Sequence, residues 1–295
     1  MVRSTTFGTK AADIALIVLL ALASFTCLFP IIHNLAISFS LPARAEGGFV
    51  TIFPQQFTFA AYTKLFEDET FFRTFRISLE RVAVTTSMSF LISLLMAYPL
   101  SRTNKEFKLR NVYMWVLVFV MMFNGGLIPF YLIVKQLGLM NSFWVLVLPM
   151  IVNVYNIILI VNYFRTIPKE LDECASMDGA GPWYKVFRIY MPLAMPVLAT
   201  TTLFLLVVVW NEFMLGMIFM RTVEDAPLQT YMQQLVVRID PTLIQSVEDV
   251  KQLASVSDKT LGAAKIFVSM FPIMVIYPFL QRYFITGITL GSVKE

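Results

Sequence analysis

Charge is what this sequence has least of. Asp, Glu, Lys and Arg make up 14% of its 295 residues against 58% hydrophobic residues, and the mean hydropathy is +0.72. A water-soluble domain carries about 25% charged residues, so the composition excludes that class. Histidine occurs once and cysteine twice. His33 has no cluster of Cys, Asp or Glu around it, which reads as a hydrogen-bonded interface residue and excludes a metal centre. Cys27 falls in the first apolar run and Cys174 in a polar loop, on different faces of a bilayer, so they form no structural pair. No G-x-x-x-x-G-K-[ST] phosphate loop is present, so the chain cannot hydrolyse ATP in the P-loop manner, and no catalytic motif takes its place. The net charge of +4 comes without a contiguous basic stripe carrying interleaved aromatics, which excludes a nucleic-acid surface. The first apolar run is too long for a secretory signal and lacks a small-residue cleavage site, so it is expected to remain as a span.

What the sequence does have is length without charge. Runs free of Asp, Glu, Lys and Arg extend over Ile14 to Ala43, Val82 to Ser101, Asn111 to Val134, Gln136 to Phe164 and Ile189 to Asn211. Each suffices for the ~20 residues that a helix needs to cross the hydrocarbon core. A sixth, about 263–284, carries Lys265 near its start. The expectation is an all-α, polytopic membrane protein with six transmembrane helices, at about 14–40, 80–101, 111–134, 141–164, 192–220 and 263–284, in one domain spanning 1–295. Arg102, Lys105, Lys108 and Arg110 crowd the second-to-third connection, whereas the third-to-fourth offers Lys135 alone. The positive-inside rule puts the former in the cytoplasm, and with six spans both termini follow.

The loop at 166–191 is a compact polar segment between apolar runs. Pro168 suits a first helical position, Glu170, Asp172 and Glu173 suit the positive end of the helix dipole, and Gly179 suits a left-handed C-terminal cap. A second helical run is expected from Pro182 to Tyr190, before Pro192 opens the next apolar stretch.

Glu173-Cys174-Ala175-Ser176-Met177-Asp178-Gly179-Ala180, continued to Ile189-Tyr190-Met191-Pro192, resembles the E-A-A-x-x-x-G loop of permeases from binding-protein-dependent ABC importers. Cys174 stands where alanine is usual, a small-for-small change. The resemblance implies that Glu173, Cys174, Ala175, Asp178, Gly179, Ala180, Ile189 and Pro192 belong to a coupling helix seated in a groove of an ATP-hydrolysing subunit. It implies a bacterial cytoplasmic-membrane permease with no enzymatic activity and no cofactor of its own. ATP and Mg would sit on two separate ATPase subunits, beside a second related permease and an extracytoplasmic solute-binding protein.

Phe123-Asn124-Gly125-Gly126-Leu127-Ile128-Pro129-Phe130-Tyr131-Leu132 resembles carbohydrate-uptake permeases of the maltose type that serve complex oligosaccharides, with Asn124 in place of a usual serine. Uronate-containing fragments such as those of alginate or pectin fall in that class. Gly125, Gly126 and Pro129 weaken the helix, either for a gate or for close helix packing. Trp210-Asn211-Glu212-Phe213 resembles a W-N-x-F/W segment of the same permeases. Amides and carboxylates hold sugar hydroxyls and aromatic faces hold sugar C–H surfaces. Trp210, Asn211, Glu212, Asn153, Tyr155 and Asn156 are therefore candidates for the substrate path, each with interhelical bonding as its structural alternative. The loops 44–81 and 221–259 are expected to meet the binding protein, and the tail Gly287 to Glu295 resembles one that reaches toward the ATPase interface. An ion-coupled secondary transporter is the alternative reading; it calls for an inverted repeat and intramembrane ion ligands, and the sequence shows no repeat and only Glu212 within a span.

Overall fold

The structure, a computed structural model, describes residues 7–237 and 259–292. Among these there is no strand. The helices are α1 (Phe7–Ser38), α2 (Pro42–Glu46), α3 (Ala60–Phe66), α4 (Glu69–Ser101), α5 (Arg110–Met122), α6 (Leu127–Gln136), α7 (Phe143–Val147), α8 (Val154–Phe164), α9 (Lys169–Met177), α10 (Pro182–Tyr184), α11 (Met191–Leu193), α12 (Met195–Asn211), α13 (Met214–Phe219), α14 (Leu228–Val237) and α15 (Lys259–Ser292). Four stretches are long and apolar enough to cross a membrane unaided: Lys10–Ser38, Glu69–Ser101, Phe143–Phe164 and Lys259–Pro278. Two bent pairs, Arg110–Met122 with Leu127–Gln136 and Pro182–Leu193 with Met195–Asn211, bring the total to six.

Several boundaries differ from expectation. The second span starts at Glu69 because Asp68 accepts a hydrogen bond from Phe71 N at 2.9 Å, a cap that starts the helix outside the uncharged run. The third does not run straight through 111–134: α5 and α6 meet at 115°. Gly126 holds φ +84°, ψ 172°, a region open essentially to glycine, and its N–H bonds the Asn124 side chain at 2.9 Å. Pro129 is the third residue of α6, where its missing N–H is one that no helical carbonyl would have accepted. The fifth span is interrupted twice, by an 80° bend at Ala194 and by extended backbone at Glu212. Pro192 does not open it: helix persists through Leu193, and Pro196, early in α12, follows the bend. The backbone widens to a π turn over Lys185–Tyr190, immediately before Pro192 removes its own N–H from the ladder. The sixth span runs past 284 to Ser292.

The chain divides into two compact units. In the first, residues 1–71 and 234–271, α1 is exposed on every side from Lys10 to Pro30. A uniformly apolar, unburied helix requires an apolar medium around it. Its far end is anchored: Asn34 donates to the Ala263 carbonyl at 3.0 Å, His33 Nδ1 to the Thr51 carbonyl at 2.6 Å, and Ser38 meets Tyr62 Oη at 2.9 Å. His33 is thus the hydrogen-bonded residue its isolation suggested. Lys265 is buried and paired with Asp68 at 2.6 Å, which explains how the sixth span tolerates a charge.

In the second unit, residues 72–233 and 272–295, α4 is the central helix. Thr74, Ser78, Arg81, Thr85, Ser89, Ser93 and Ala97 are all buried along one of its faces. Spaced three or four apart, these mostly small side chains let neighbouring helices approach closely, the means of packing available where lipid removes the hydrophobic drive. Leu94, Ala97, Leu100, Ile157, Ile160, Phe164, Tyr190 and Leu198 form the inner cluster, while Val134, Val145, Leu146 and Phe219 form a second one at the breaks of the spans.

Candidate functional site

The polar bracket at 166–193 is an exposed two-faced structure. Helix α9 begins one residue later than expected: Pro168 is its N-cap with extended ψ of 132°, and Lys169 is its first helical residue. It ends in a Schellman turn, with Gly179 N donating to the Ser176 carbonyl at 3.1 Å and Ala180 N to the Ala175 carbonyl at 2.9 Å. That pairing requires a left-handed residue at the turn, and Gly179 has φ +73°. Glu170, Glu173, Cys174 and Met177 are exposed at i, i+3, i+4 and i+7, one stripe along the outward face. Met177 is 88% exposed, and Trp183, 67% exposed, stacks on Phe187 four residues on. Asp178 and Gly179 are exposed with this stripe, and Ala175 and Ala180 are half-buried at the turn. Ile189 points the other way and packs into the inner cluster. Pro192 is exposed at the end of the bracket.

The opposite face of α9 carries Asp172. Its two oxygens accept hydrogen bonds from both terminal nitrogens of Arg102, each at 2.8 Å, and one from Lys185 Nζ at 3.3 Å. Lys185 also donates to Ser176 Oγ at 2.6 Å. The Arg102 guanidinium lies 4.3 Å from the Tyr98 ring centre and 4.8 Å from that of Tyr190. Burial pushes the Asp172 carboxyl up, but the bond and charge of Arg102, with those of Lys185, more than offset this and hold it below its ordinary value.

The fifth-span candidates do not converge on one surface. Trp210 is buried edge-on against Phe75, and Asn211 turns its amide back to the Val207 carbonyl at 2.9 Å. Glu212 lies at the junction of α12 and α13, outside any helix. One of its oxygens accepts from Leu215 N at 2.8 Å, capping α13, and the other pairs with Arg81. Arg81 is 1% exposed and also donates to the carbonyls of Leu146 and Glu212, both at 3.0 Å, and to Met150 Sδ at 3.3 Å. The fourth span is itself interrupted by the non-helical residues 151–153, between the turn that follows α7 and the start of α8, so one guanidinium fastens α4 to the breaks of the fourth and fifth spans.

The fourth-span candidates do come together. Asn153, Tyr155 and Asn156 line a cleft of about 500 Å³ with Phe204, Val208 and Tyr277. Asn153 caps α8 through Asn156 N at 3.0 Å, and Asn156 donates to the Thr201 carbonyl at 3.0 Å, so both amides are partly spent on structure. Tyr155 and Tyr277 are about half exposed and line the cleft.

The binding-protein-dependent transport system inner membrane component family matches residues 89–290, which hold α9, its Schellman turn and both bent spans. The chain belongs to this family. Protein LplC of Bacillus subtilis (strain 168) is 36% identical over 98% of both chains. The polygalacturonan/rhamnogalacturonan transport system permease protein YtcP of the same organism is 33% identical over 93% of this chain and 95% of its own. A chain from the crystal structure of a bacterial ABC transporter involved in the import of the acidic polysaccharide alginate superposes with a TM-score of 0.86 at 31% identity, over 95% of this chain and 99% of that one.

Two charged residues central to the permease were not singled out from its sequence. Arg81 comes seven residues after Thr74, three after Ser78 and four before Thr85, so the small-polar register of α4 marks it as buried. Arg102 carries no such mark. It was read only as one of four basic loop residues, and its partner Asp172 lies 70 residues away. The loop at 238–258, with Pro241, and the last residues of the tail, 293–295, lie outside the described residues.

Proposed function

We propose that this permease is one of two membrane subunits of an ATP-driven importer of acidic oligosaccharides in the bacterial cytoplasmic membrane. Its partners are a related permease, two ATPase subunits that carry the ATP and Mg, and an extracytoplasmic binding protein. The observation that carries the reading is the exposed stripe Glu170, Glu173, Cys174 and Met177 on a helix closed by a glycine-dependent turn. An amphipathic helix that presents anchors at i, i+3, i+4 and i+7 is the form taken by groove-docking segments. The docking face is cytoplasmic on this reading, as is the basic connection at 102–110, and both termini lie on that side. Catalysis belongs to the ATPases; the permease contributes a path and a moving scaffold.

The substrate class rests on relatives named for polygalacturonan or rhamnogalacturonan and for alginate. The cleft beside Tyr155 and Tyr277 is the part of the chain best suited to the work, because two aromatic faces and two amides suit sugar rings.

The test is reconstitution of the whole complex. Gly179→Val forces an L-residue into a left-handed cap at about 1–2 kcal/mol, and Glu173→Lys reverses the charge of the docking stripe. Together they are expected to remove oligogalacturonide uptake and the ATP hydrolysis that loaded binding protein stimulates. Wild-type levels of both would end the docking reading.

A further inference from the structure

The contacts on the inward face of α9 do more than hold a loop in place. Helix α4 runs unbroken from Glu69 to Ser101, and Arg102 is the residue immediately after it. The guanidinium is held on two sides: Asp172 meets both of its terminal nitrogens, and the rings of Tyr98 and Tyr190 lie against it at 4.3 and 4.8 Å. Those two rings meet each other edge-on at 5.2 Å, and Tyr190 meets Phe164 at 5.2 Å. Beside this, the last turn of α4 is gripped at the Leu100 carbonyl by Arg110 at 3.0 Å and Arg165 at 3.3 Å. A planar fork bonded bidentately and packed against two rings transmits displacement, where a flexible ammonium would yield. At the other end of α4, Arg81 grips the Leu146 and Glu212 carbonyls at the breaks of the fourth and fifth spans. The twenty residues between Ser101 and Arg81 are about 30 Å of continuous helix.

We infer that Arg102 and Asp172 are a positioning pair that converts movement of α9 into movement of α4, and through Arg81 into movement of the breaks in the fourth and fifth spans. Glu173 and Met177 face outward to be pulled, and Asp172, bonded to Arg102 and Lys185 on the opposite face, passes the pull on. This rests on the docking reading of α9 given above.

The experiment uses the complete complex in proteoliposomes. Arg102→Lys keeps the charge but loses the fork and the stacking; Asp172→Asn keeps the shape but loses the charge. Assembly, basal ATP hydrolysis and substrate imported per ATP are measured for each. Thiol labelling of Val152→Cys, an exposed position in the break of the fourth span, is measured with and without trapped ATP. Arg102→Lys is expected to assemble and to hydrolyse ATP near the unmodified rate. Import per ATP should fall about fivefold or more, the scale of an allosteric coupling term, and the ATP-dependent change in labelling should vanish. Unchanged import per ATP in either variant overturns the inference, and so does failure of both to assemble, since the pair is then only a staple. The docking reading is judged separately by Gly179→Val with Glu173→Lys. If these lose uptake while Arg102→Lys keeps its import per ATP, the inference alone has failed; if they keep uptake, the docking reading has failed first.

Discussion

Glu212 shows how a single carboxylate in an apolar stretch has two physical fates, and which one the chain adopts. Sugar recognition needs a carboxylate with a free oxygen facing a wet space. Here one oxygen caps α13 and the other pairs with Arg81, so both are engaged in contacts that hold the fold. Breaking a buried ion pair by removing one partner costs about 3–5 kcal/mol because the other charge is left stranded. Arg81→Ala and Glu212→Ala are therefore expected to lower the thermal midpoint of the purified complex and its yield on size exclusion before they change uptake per assembled complex. A Glu212→Ala complex that assembles normally and transports poorly would return this residue to the substrate path. Asp172 supports a prediction of a different kind. Its carboxyl holds its proton less readily in the folded chain than in an unfolded one. Between the two pKa values the unfolded chain binds more protons, so stability rises with pH there. The contribution is complete above the ordinary carboxylate range and is lost as pH falls through the lower, folded value. Asp172→Asn should flatten the acid limb of a stability-versus-pH curve and leave the neutral plateau lower; an identical acid limb would show that the Arg102 pair contributes nothing to it.

At the scale of elements, the sequence was legible wherever the determinant is local. The Schellman turn after α9 needs one glycine and two backbone bonds, all within six residues, and its left-handed cap is expected from Gly179 alone. Existence of the spans followed from length and hydropathy, with no need of neighbours. The breaks in them were harder, because hydropathy continues unchanged across a bend. Gly125, Gly126 and Pro129 gave warning of the first. The one at Glu212 gave only the carboxylate, since its cause is Arg81, 131 residues earlier. Long-range ion pairs of this kind leave no spacing pattern, and the same holds for Lys265 with Asp68. The α5–α6 bend offers a direct test. A Cβ at Gly126 would meet no atom within 4 Å, so any effect of Gly126→Ala comes from the backbone alone. A strained conformation of this sort costs about 1–3 kcal/mol. Gly126→Ala is expected to lower the thermal midpoint, whereas Gly125→Ala, at ordinary φ, should lower it less. Equal losses would place the determinant of the bend elsewhere.

At the scale of the molecule, sidedness ties these parts to a function, and it rests on charge distribution. Arg102, Lys105, Lys108 and Arg110 lie between the end of α4 and the first residue of α5, and the last turn of α6 carries Lys135. If the basic connection is cytoplasmic, α9 reaches the compartment where ATP is found, and the breaks near Asn124 and Glu212 face the side from which substrate arrives. If the orientation were reversed, the exposed stripe on α9 would have no ATPase to meet. Asn104, between α4 and α5, and Gln136, the last residue of α6, are both exposed. Cysteines introduced at each, in a chain with Cys27 and Cys174 replaced by serine, should react with an impermeant maleimide from opposite sides. Asn104→Cys should label only after the membrane is opened, Gln136→Cys in intact cells. Labelling of both from one side would break the third span as a membrane crossing. Labelling with the sides exchanged would leave the six spans intact and remove the docking reading of α9, because no cytoplasmic subunit could then reach Glu173 or Met177.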